Sequence, residues 1–461
     1  MERLDCLLIA GEPSGDLLAA ELVRALREAP AVRAMPWPPR FFGAGGPAMA
    51  AAGVELTVNL TDHAVVGLTE VLKHYAAFRR IFHQLIDLAC ERLPDLIILV
   101  DFSGFNRRFA RALRRRLRRS NRCFNNWQPK LVQYVSPQVW ASRPGRAYAL
   151  AQDIDLLLCL FPFEKAWYSQ RLPRLRVEFV GHPVCERFPG RSPGPAGSEG
   201  SSSDERPGPA EPGDSPLILL LPGSREPEVR AHLAVMLQAA MEMSLVQAAG
   251  AGLTPGGTAP RLRWRVILPN EPLAACAREQ SKSLLRQSNP FILPEADGRP
   301  TLAQPLRDPL PALEVRTGGL AESLAEADLA LAASGTVTVE CAWFGVPTVV
   351  LYKTSWLTYH IAKRIVTVPY LAMPNLLAGE MIYPEFIQSA ATPANLAKAS
   401  LELLFDRNRR QAMRTKLARV VESLGGPGAA ARAAQAILRL FQSGTQEPRM
   451  GGTLRNPEER L

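Results

Sequence analysis

Two short glycine-rich turns constrain this chain most: LLIAGEPSGD at residues 7–16 and LALAASGTVTVE at residues 329–340. Each follows an apolar run and leads into an amphipathic stretch, which predicts a parallel strand handing over to a helix whose first N–H groups are unpaired. Such a helix start attracts anions. Two of them on one chain predict two nucleotide-type half-folds facing a shared cleft, with an anionic ligand held by the second.

At 461 residues the chain has room for two or three domains, and its 47% apolar content is ample for buried cores. A formal charge of +10 and a pI near 9.5 fit an anionic partner, which leaves nucleic acid, anionic lipid and a phosphorylated substrate open. The seven cysteines are odd in number, widely spaced and never form C-x-x-C. Neither a disulfide framework nor a zinc cluster is indicated, and a reducing cytosol fits best. The apolar core of MERLDCLLIAGE is too short for a signal peptide. Gly335, Gly345 and Pro347 cut the weakly charged stretch 328–352 into strand, turn, helix and strand, so no transmembrane helix is expected.

Strand-like runs at residues 6–10, 41–43, 96–102, 131–136, 156–161 and 177–180 alternate with helix-like stretches. This βαβ rhythm implies a parallel, doubly wound sheet within a domain spanning 1–188. Of the 27 residues from Gly190 to Pro216, 18 are Gly, Pro or Ser, a composition that buries too little apolar surface to offset its ordering entropy. Residues 189–216 therefore read as a disordered linker. A second series, LILLLPGSRE, RWRVILP, DLALAASG and PTVVLYK, opens a second Rossmann-like domain over 217–392. Polar insertions at 250–260 and 297–317 read as surface loops. Residues 393–443 read as helices and 444–461 as a disordered tail.

The class is α/β of GT-B type: two Rossmann-like doubly wound domains facing a cleft, with a C-terminal helical segment. That analogy gives no reaction by itself. Ten runs go further: AGEPSGDLLAAELVRAL, FFGAGGPAMAAAG, VVGLTEVLKH, PDLIILVDFSGFNRRFARALR, YVSPQVWASRPGR, LLLCLFPFE, VEFVGHPV, LLLPGSRE, AASGTVTVECAWFGVPTVVLYK and VPYLAMPNLLAGE. In this order and spacing they make the chain resemble the lipid A disaccharide synthase family over nearly its whole length. The resemblance implies an inverting transfer of 2,3-diacylglucosamine from UDP to the 6-hydroxyl of 2,3-diacylglucosamine 1-phosphate, giving the β-1',6-linked disaccharide and UDP. It implies a cytoplasmic enzyme, peripherally attached to the anionic face of the inner membrane, with no cofactor; a homodimer is left open.

An inverting transfer needs a base beside the acceptor hydroxyl and a means of stabilising the departing diphosphate. Asp101 closes LIILV at the carboxyl edge, where α/β folds place ligands, and is the preferred base; a helix N-cap is its plain alternative. Glu12 is the next carboxylate, on the first strand-to-helix turn of the same sheet. Ser14, Gly15 and Asp16 complete that turn as substrate contacts. Family members commonly carry a second aspartate in D-x-P-D-F-N, where this chain has Gly104 in DFSGFN, which leaves Asp101, Glu12 or a water as base. On the donor side, Gly223 and Ser224 form a turn that presents Arg225 past a strand end, where its planar fork can hold two diphosphate oxygens. Ser334, Gly335 and Thr336 open the second anion-ready helix, and Glu340, one turn in, suits the ribose hydroxyls of UDP. Asn375 in PNLLAG is similar to a family position lining the donor site.

Asp153 and Asp155 copy the D-x-D spacing of metal-dependent transferases but fall between a helix and a strand of the N-terminal half, so no metal is expected, and His182 reads as structural. Because both implied substrates carry acyl chains, the stripe Leu68, Val71, Leu72, Phe78 and Phe82 is expected to face membrane or acyl chains, with packing on its own sheet as the alternative. Lys73, His74, Arg79 and Arg80 flank it, and nine arginines between Arg107 and Arg122 add positive charge. Two rival functions remain: another UDP-N-acetylglucosamine-using GT-B enzyme, transferase or 2-epimerase, and a basic nucleic-acid-binding protein. The latter lacks any RRM, KH or zinc-finger signature, so no nucleic acid partner is expected.

Overall fold

Short runs of aliphatic and aromatic residues, each followed by a helix, build two parallel sheets in a computed structural model that describes residues 2–60, 71–120, 127–188, 215–251, 261–287, 292–294, 300–302 and 313–442. The first sheet contains β1 (Asp5–Ala10), β2 (Arg40–Gly45), β3 (Glu55–Asn59), β4 (Leu96–Val100), β5 (Lys130–Tyr134), β6 (Leu156–Cys159) and β7 (Arg176–Phe179). Their order is β3-β2-β1-β4-β5-β6-β7, and every neighbouring pair is parallel. The second unit contributes β8 (Leu217–Leu221), β9 (Arg263–Leu268), β10 (Ile292–Pro294), β11 (Pro300–Leu302), β12 (Leu313–Thr317), β13 (Leu329–Ala333), β14 (Thr348–Tyr352) and β15 (Glu385–Ile387). Six of these form a second parallel sheet, β12-β9-β8-β13-β14-β15, while β10 and β11 pair antiparallel on their own.

Central strands show the continuous burial of parallel sheets covered on both faces: all five residues of β4, β8 and β13 are buried. Edge strands do not, and this is where pattern reading falls short. β3, with the sequence ELTVN, alternates between exposed and half-buried, and β12, LEVRT, lies inside the stretch 297–317 expected to be a loop. Pairing of Leu313 to Thr317 with Trp264 to Leu268 of β9 is what makes it a strand. The runs expected to reach Phe102 and Ser136 stop instead at Val100 and Tyr134, because Asp101, Phe102 and Val135 turn to positive φ.

The chain forms two compact units. The first takes Met1–Arg187, Ile365–Thr367 and Ser423–Leu461; the second takes Phe188–Arg364 and Val368–Glu422. The C-terminal helices are therefore divided. Helices Pro393–Phe405 and Arg407–Ser423 build almost wholly on the second unit, the former against helix Glu226–Ala251. The last, Ala429–Gln442, packs on helix Pro13–Glu28 of the first. His182 N–H donates to the Leu424 carbonyl at 2.9 Å and the Arg432 guanidinium to the Val180 carbonyl at 2.7 Å, tying the returning chain to the end of β7. The expected linker 189–216, apart from Ser215 and Pro216, and the expected tail 444–461 lie outside the described residues. Among the described residues no helix is long and apolar enough to cross a membrane.

Candidate functional site

In each unit the direction of sheet growth reverses at one pair of adjacent strands, and the motif turns lie at the carboxyl ends of those strands. In the first unit the pair is β1 and β4, with Ala10 beside Val100. β1 runs into Gly11 and Glu12 and then helix Pro13–Glu28; β4 runs into Asp101 and Phe102 and then helix Ser103–Ser120. A Cβ placed on Gly15 would lie 3.6 Å from the Asp101 Cβ, so the two turns are in contact. Asp101 and Glu12 are both half-buried, and Ser14 is exposed.

Asp101 sits on strained backbone. Its φ is 48° and that of Phe102 is 38°, a conformation L side chains rarely adopt and one that costs on the order of 1–3 kcal/mol per residue. Two buried side-chain amides hold it. Asn106 Nδ2 donates to the carbonyls of Asp101 at 2.9 Å and Val100 at 3.2 Å. Gln133 Nε2, from β5, donates to the Asp101 carbonyl at 3.2 Å and the Val135 carbonyl at 3.2 Å. The Asp101 N–H donates to the Tyr134 carbonyl at 2.9 Å, so β5 braces both sides of the residue.

Asp16, expected to touch substrate, is occupied elsewhere. Its buried carboxylate accepts from the N–H groups of Gly46 at 2.8 Å, Ala48 at 2.8 Å and Met49 at 3.1 Å, and so joins the β1 turn to the β2 turn. The stripe expected to face lipid divides. Leu68 lies outside the described residues, and Val71 and Leu72 fall in the first turn of helix Val71–Arg92, of whose side chains nothing is described. Phe78 and Phe82 pack inward: Phe78 lies 6.5 Å from Phe102, and Phe82 lies 5.5 Å from Phe105 and 6.3 Å from Phe109, ring centre to ring centre. Ile81, Leu85 and Ile86 are buried on the same helix, while Phe78 and Phe82 are half-buried, so this part of the stripe packs at least partly on its own unit.

In the second unit the reversal falls between β8 and β13, paired from Leu329 with Ile218 to Ala332 with Leu221. β8 leads into Pro222, Gly223, Ser224 and Arg225, and β13 into Ser334, Gly335 and Thr336. Gly223 has φ 125°, and a Cβ there would come within 2.6 Å of Glu228 Oε2, so only glycine makes this turn. Glu228 Oε2 also accepts from the Ser224 N–H at 3.2 Å. The Arg225 side chain is 64% exposed and 3.5 Å from Glu228. His232, to which no motif pointed, is buried beneath the turn: Nδ1 bonds the Pro222 carbonyl at 2.8 Å, and Nε2 accepts from the Lys353 N–H at 3.0 Å. With that tautomer it links the ends of β8 and β14.

Gly335 and Thr336 are exposed, with open space around Gly335, and Glu340 is half-buried one turn into helix Val337–Trp343. Ser334 Oγ donates to the Leu371 carbonyl at 3.0 Å and keeps its acceptor lone pairs. Asn375, expected to line the donor site, is fully buried with both ends of its amide used. Nδ2 donates to the Tyr383 carbonyl and to Glu385 Oε1, each at 2.8 Å; Oδ1 accepts from Ile382 N–H at 2.9 Å and Tyr383 N–H at 2.8 Å. Glu385 also accepts from the N–H groups of Leu371 and Ala372, both at 2.9 Å. Asn375 and Glu385 thus lock the segment that braces Ser334, and Asn375 positions the turn without presenting a free group to a ligand.

Asp155 stands at the amino end of β6, away from the carboxyl edge, where it accepts from Arg114 and from the Leu131 N–H at 2.8 Å. Glu164 is the buried carboxylate the sequence reading missed. Ser136 Oγ and Trp140 Nε1, the latter at 3.0 Å, donate to one oxygen and Phe161 N–H at 3.2 Å to the other. Burial pushes its carboxyl up to about 7, against the pull of these donors. Beside it the His182 ring packs tilted against Phe161, centroids 5.4 Å apart, and is held neutral, its pKa pushed down to about 3 by burial and by Arg187.

Solved structures share this fold at low identity. A putative UDP-N-acetylglucosamine 2-epimerase from Listeria monocytogenes superposes with a TM-score of 0.57 at 14% identity, covering 98% of this chain and 100% of its own. CalG4, the calicheamicin glycosyltransferase, does so at 0.51 and 16%, covering 97% and 100%. These likenesses show a GT-B type fold. Sequence relatives are closer. Lipid-A-disaccharide synthases from Syntrophus aciditrophicus (strain SB) and Anaeromyxobacter sp. (strain K) are 33% and 34% identical, each covering 95% of this chain and 97% of the relative. That of Solibacter usitatus (strain Ellin6076) is 35% identical over 94% and 97%. The family described as "Lipid-A-disaccharide synthetase" matches residues 6–249 and 306–440, a span that takes in all four motif turns, and this chain belongs to it.

Proposed function

We propose that this chain, an enzyme of lipid A disaccharide formation by its family, transfers 2,3-diacylglucosamine from UDP to the 6-hydroxyl of 2,3-diacylglucosamine 1-phosphate with inversion at the anomeric carbon. One observation carries the reading: each unit sets two motif turns side by side at its switch point, with Asp101 and Glu12 on those of the first and Arg225 on those of the second. The Asp101 carboxylate takes the proton of the acceptor hydroxyl, whose oxygen bonds the anomeric carbon as the bond to the UDP oxygen breaks. The electron pair leaves with UDP, and Arg225 meets the charge that develops on the diphosphate. Its surface pairing with Glu228 is a weak competitor, since exposed ion pairs contribute at most about 1 kcal/mol.

Gly223, Ser224, Gly335 and Thr336 border the diphosphate, with the Ser224 and Thr336 hydroxyls as donors; Ser334 holds the second turn in place behind them, and Glu340 takes the ribose hydroxyls. Glu12, Ser14 and Gly15 border the acceptor hydroxyl next to Asp101. Neither a metal nor a cofactor is assigned a role. Acylated substrates draw the enzyme to the cytoplasmic face of an anionic inner membrane as a peripheral protein, and assembly as a homodimer is compatible with the scheme. The test is incubation of purified protein with UDP-2,3-diacylglucosamine and 2,3-diacylglucosamine 1-phosphate. Equal amounts of UDP and disaccharide are expected. UDP release without disaccharide, or turnover of unacylated UDP-N-acetylglucosamine in place of the acylated donor, would overturn the assignment.

A further inference from the structure

Helix Trp356–Ile365, directly after β14, has the polarity of a core helix turned inside out. None of its residues is buried, and its large apolar side chains are among the most exposed of the described residues: Trp356 at 72%, Leu357 at 63% and Ile361 at 49%. In the last helix, Ala429–Gln442, by contrast, Ala433, Ile437 and Leu440 are buried against the first unit. The spacing defines the face. Positions 356, 357, 360, 361 and 364 fall on one side of a helix, with 363 at its border, while the half-buried Tyr359, Ala362 and Ile365 fall on the other. The outward side therefore carries Trp356, Leu357 and Ile361 together with His360, Lys363 and Arg364, and the Trp356 and His360 rings touch in a tilted arrangement with centroids 4.3 Å apart.

Charge along this stretch of the chain has one sign. Between Glu340 and Glu380 the sequence contains no aspartate or glutamate, but it contains Lys353, Lys363 and Arg364. An exposed apolar strip ending in cations, with an indole at one end, fits a helix lying in the plane of a bilayer surface, where Trp, Leu and Ile enter the acyl boundary and the cations reach phosphate headgroups. A protein partner with an acidic rim would share part of this chemistry, but the helix is a single short strip and not a broad patch. We infer that the outward face of helix Trp356–Ile365 docks the second unit on an anionic lipid surface. The inference deepens the membrane part of the function proposed above by naming a contact site other than the expected stripe.

Cosedimentation tests it without substrate. Purified full-length protein is mixed with vesicles of phosphatidylcholine alone, or of equal parts phosphatidylglycerol and phosphatidylcholine, at rising salt. Wild type should partition more strongly onto the anionic vesicles, and salt should weaken this. The combined variant Trp356→Ser, Leu357→Ser, Ile361→Ser should lose on the order of 10-fold or more in partitioning while melting as wild type does, because these side chains touch little of the fold. The variant Lys363→Gln, Arg364→Gln should lose on the order of 30-fold on anionic vesicles at low salt, about 1 kcal/mol for each cation, and little on phosphatidylcholine. Wild-type partitioning by either variant, or no vesicle binding by the wild type, overturns the inference. So does a serine variant that partitions normally but sediments as a smaller species, a result that assigns the face to a second copy of the chain. Turnover of detergent-dispersed substrates, measured in parallel, reports on the proposed reaction separately, so either reading can fail without the other.

Discussion

The side-chain amide of Asn106 lies 2.9 Å from the main-chain oxygen of Asp101, and the amide of Gln133 lies 3.2 Å from the same oxygen. One residue in a strained conformation is thus held at its carbonyl from two elements, helix Ser103–Ser120 and β5, which leaves its carboxylate in a defined direction at the edge of the sheet. Asn106→Ala and Gln133→Ala should each lower turnover by roughly 10-fold or more with UDP affinity unchanged, because they loosen an orientation and not a donor contact. In the double variant the two effects should be non-additive, as expected for groups acting on one atom. Steady-state kinetics with isothermal titration of UDP decides. Equal losses of stability with unaltered turnover would make both amides purely structural.

Gly11 is fixed by the same strained turn. A Cβ on Gly11 would stand 2.3 Å from Cδ1 of Phe102, whose ring is stacked on Phe105 with centroids 5.3 Å apart. The ring has little room to withdraw, so Gly11→Ala should destabilise the protein by about 1–3 kcal/mol, the usual scale of overpacking. In a Phe102→Ala background the same change should cost much less. Urea melts of the four proteins measure the difference, and an undiminished cost in the Phe102→Ala background would place the clash elsewhere.

Sequence motifs located all four turns because a glycine-rich loop between an apolar run and an amphipathic run leaves a local signature. They could not say where β4 and β5 end, since LVDF and YVS read as strand until tertiary hydrogen bonds turn Asp101, Phe102 and Val135 to positive φ. Nor could they tell a ligand from a brace. Asp16 and Asn375 are polar groups beside the turns, but the Asp16 carboxylate accepts from the N–H groups of Gly46, Ala48 and Met49, and the Asn375 amide is held by Ile382, Tyr383 and Glu385. Glu164 had a signal in the spacing of Phe161 to Glu164, three residues apart at a helix start, whereas nothing near His232 announced that it would join two strand ends.

Glu164 and His182 give the stability of the first unit opposing pH dependences. The carboxyl of Glu164 has its pKa raised from 4.5 to about 7 in the fold, so the folded state holds a proton that the unfolded state has lost; its contribution, about 3 kcal/mol, is fully present below pH 4.5 and gone above pH 7. For His182 the pKa falls from 6.5 to about 3, so the unfolded state takes up the proton and stability is lost as pH falls below 6.5. Single variants separate the two. The melting-temperature gap between wild type and Glu164→Gln should be larger at pH 5 than at pH 7.5, and the gap for His182→Gln should change in the opposite sense. A pH-independent gap for Glu164→Gln would show that its carboxyl stays ionised in the fold.

Division of labour between Asp101 and Arg225 is the centre of the account, and the most direct measurement pairs UDP titration with single-turnover transfer for Asp101→Asn and Arg225→Ala. Asp101→Asn should bind UDP within about 2-fold of wild type while transfer falls roughly 100-fold or more, the scale of a lost general base. Arg225→Ala should weaken UDP binding and slow transfer together, since its charge-assisted contact is made in the ground state and strengthens as the leaving group departs. An Asp101→Asn enzyme that transfers at nearly the wild-type rate would contradict the account and pass the base to Glu12.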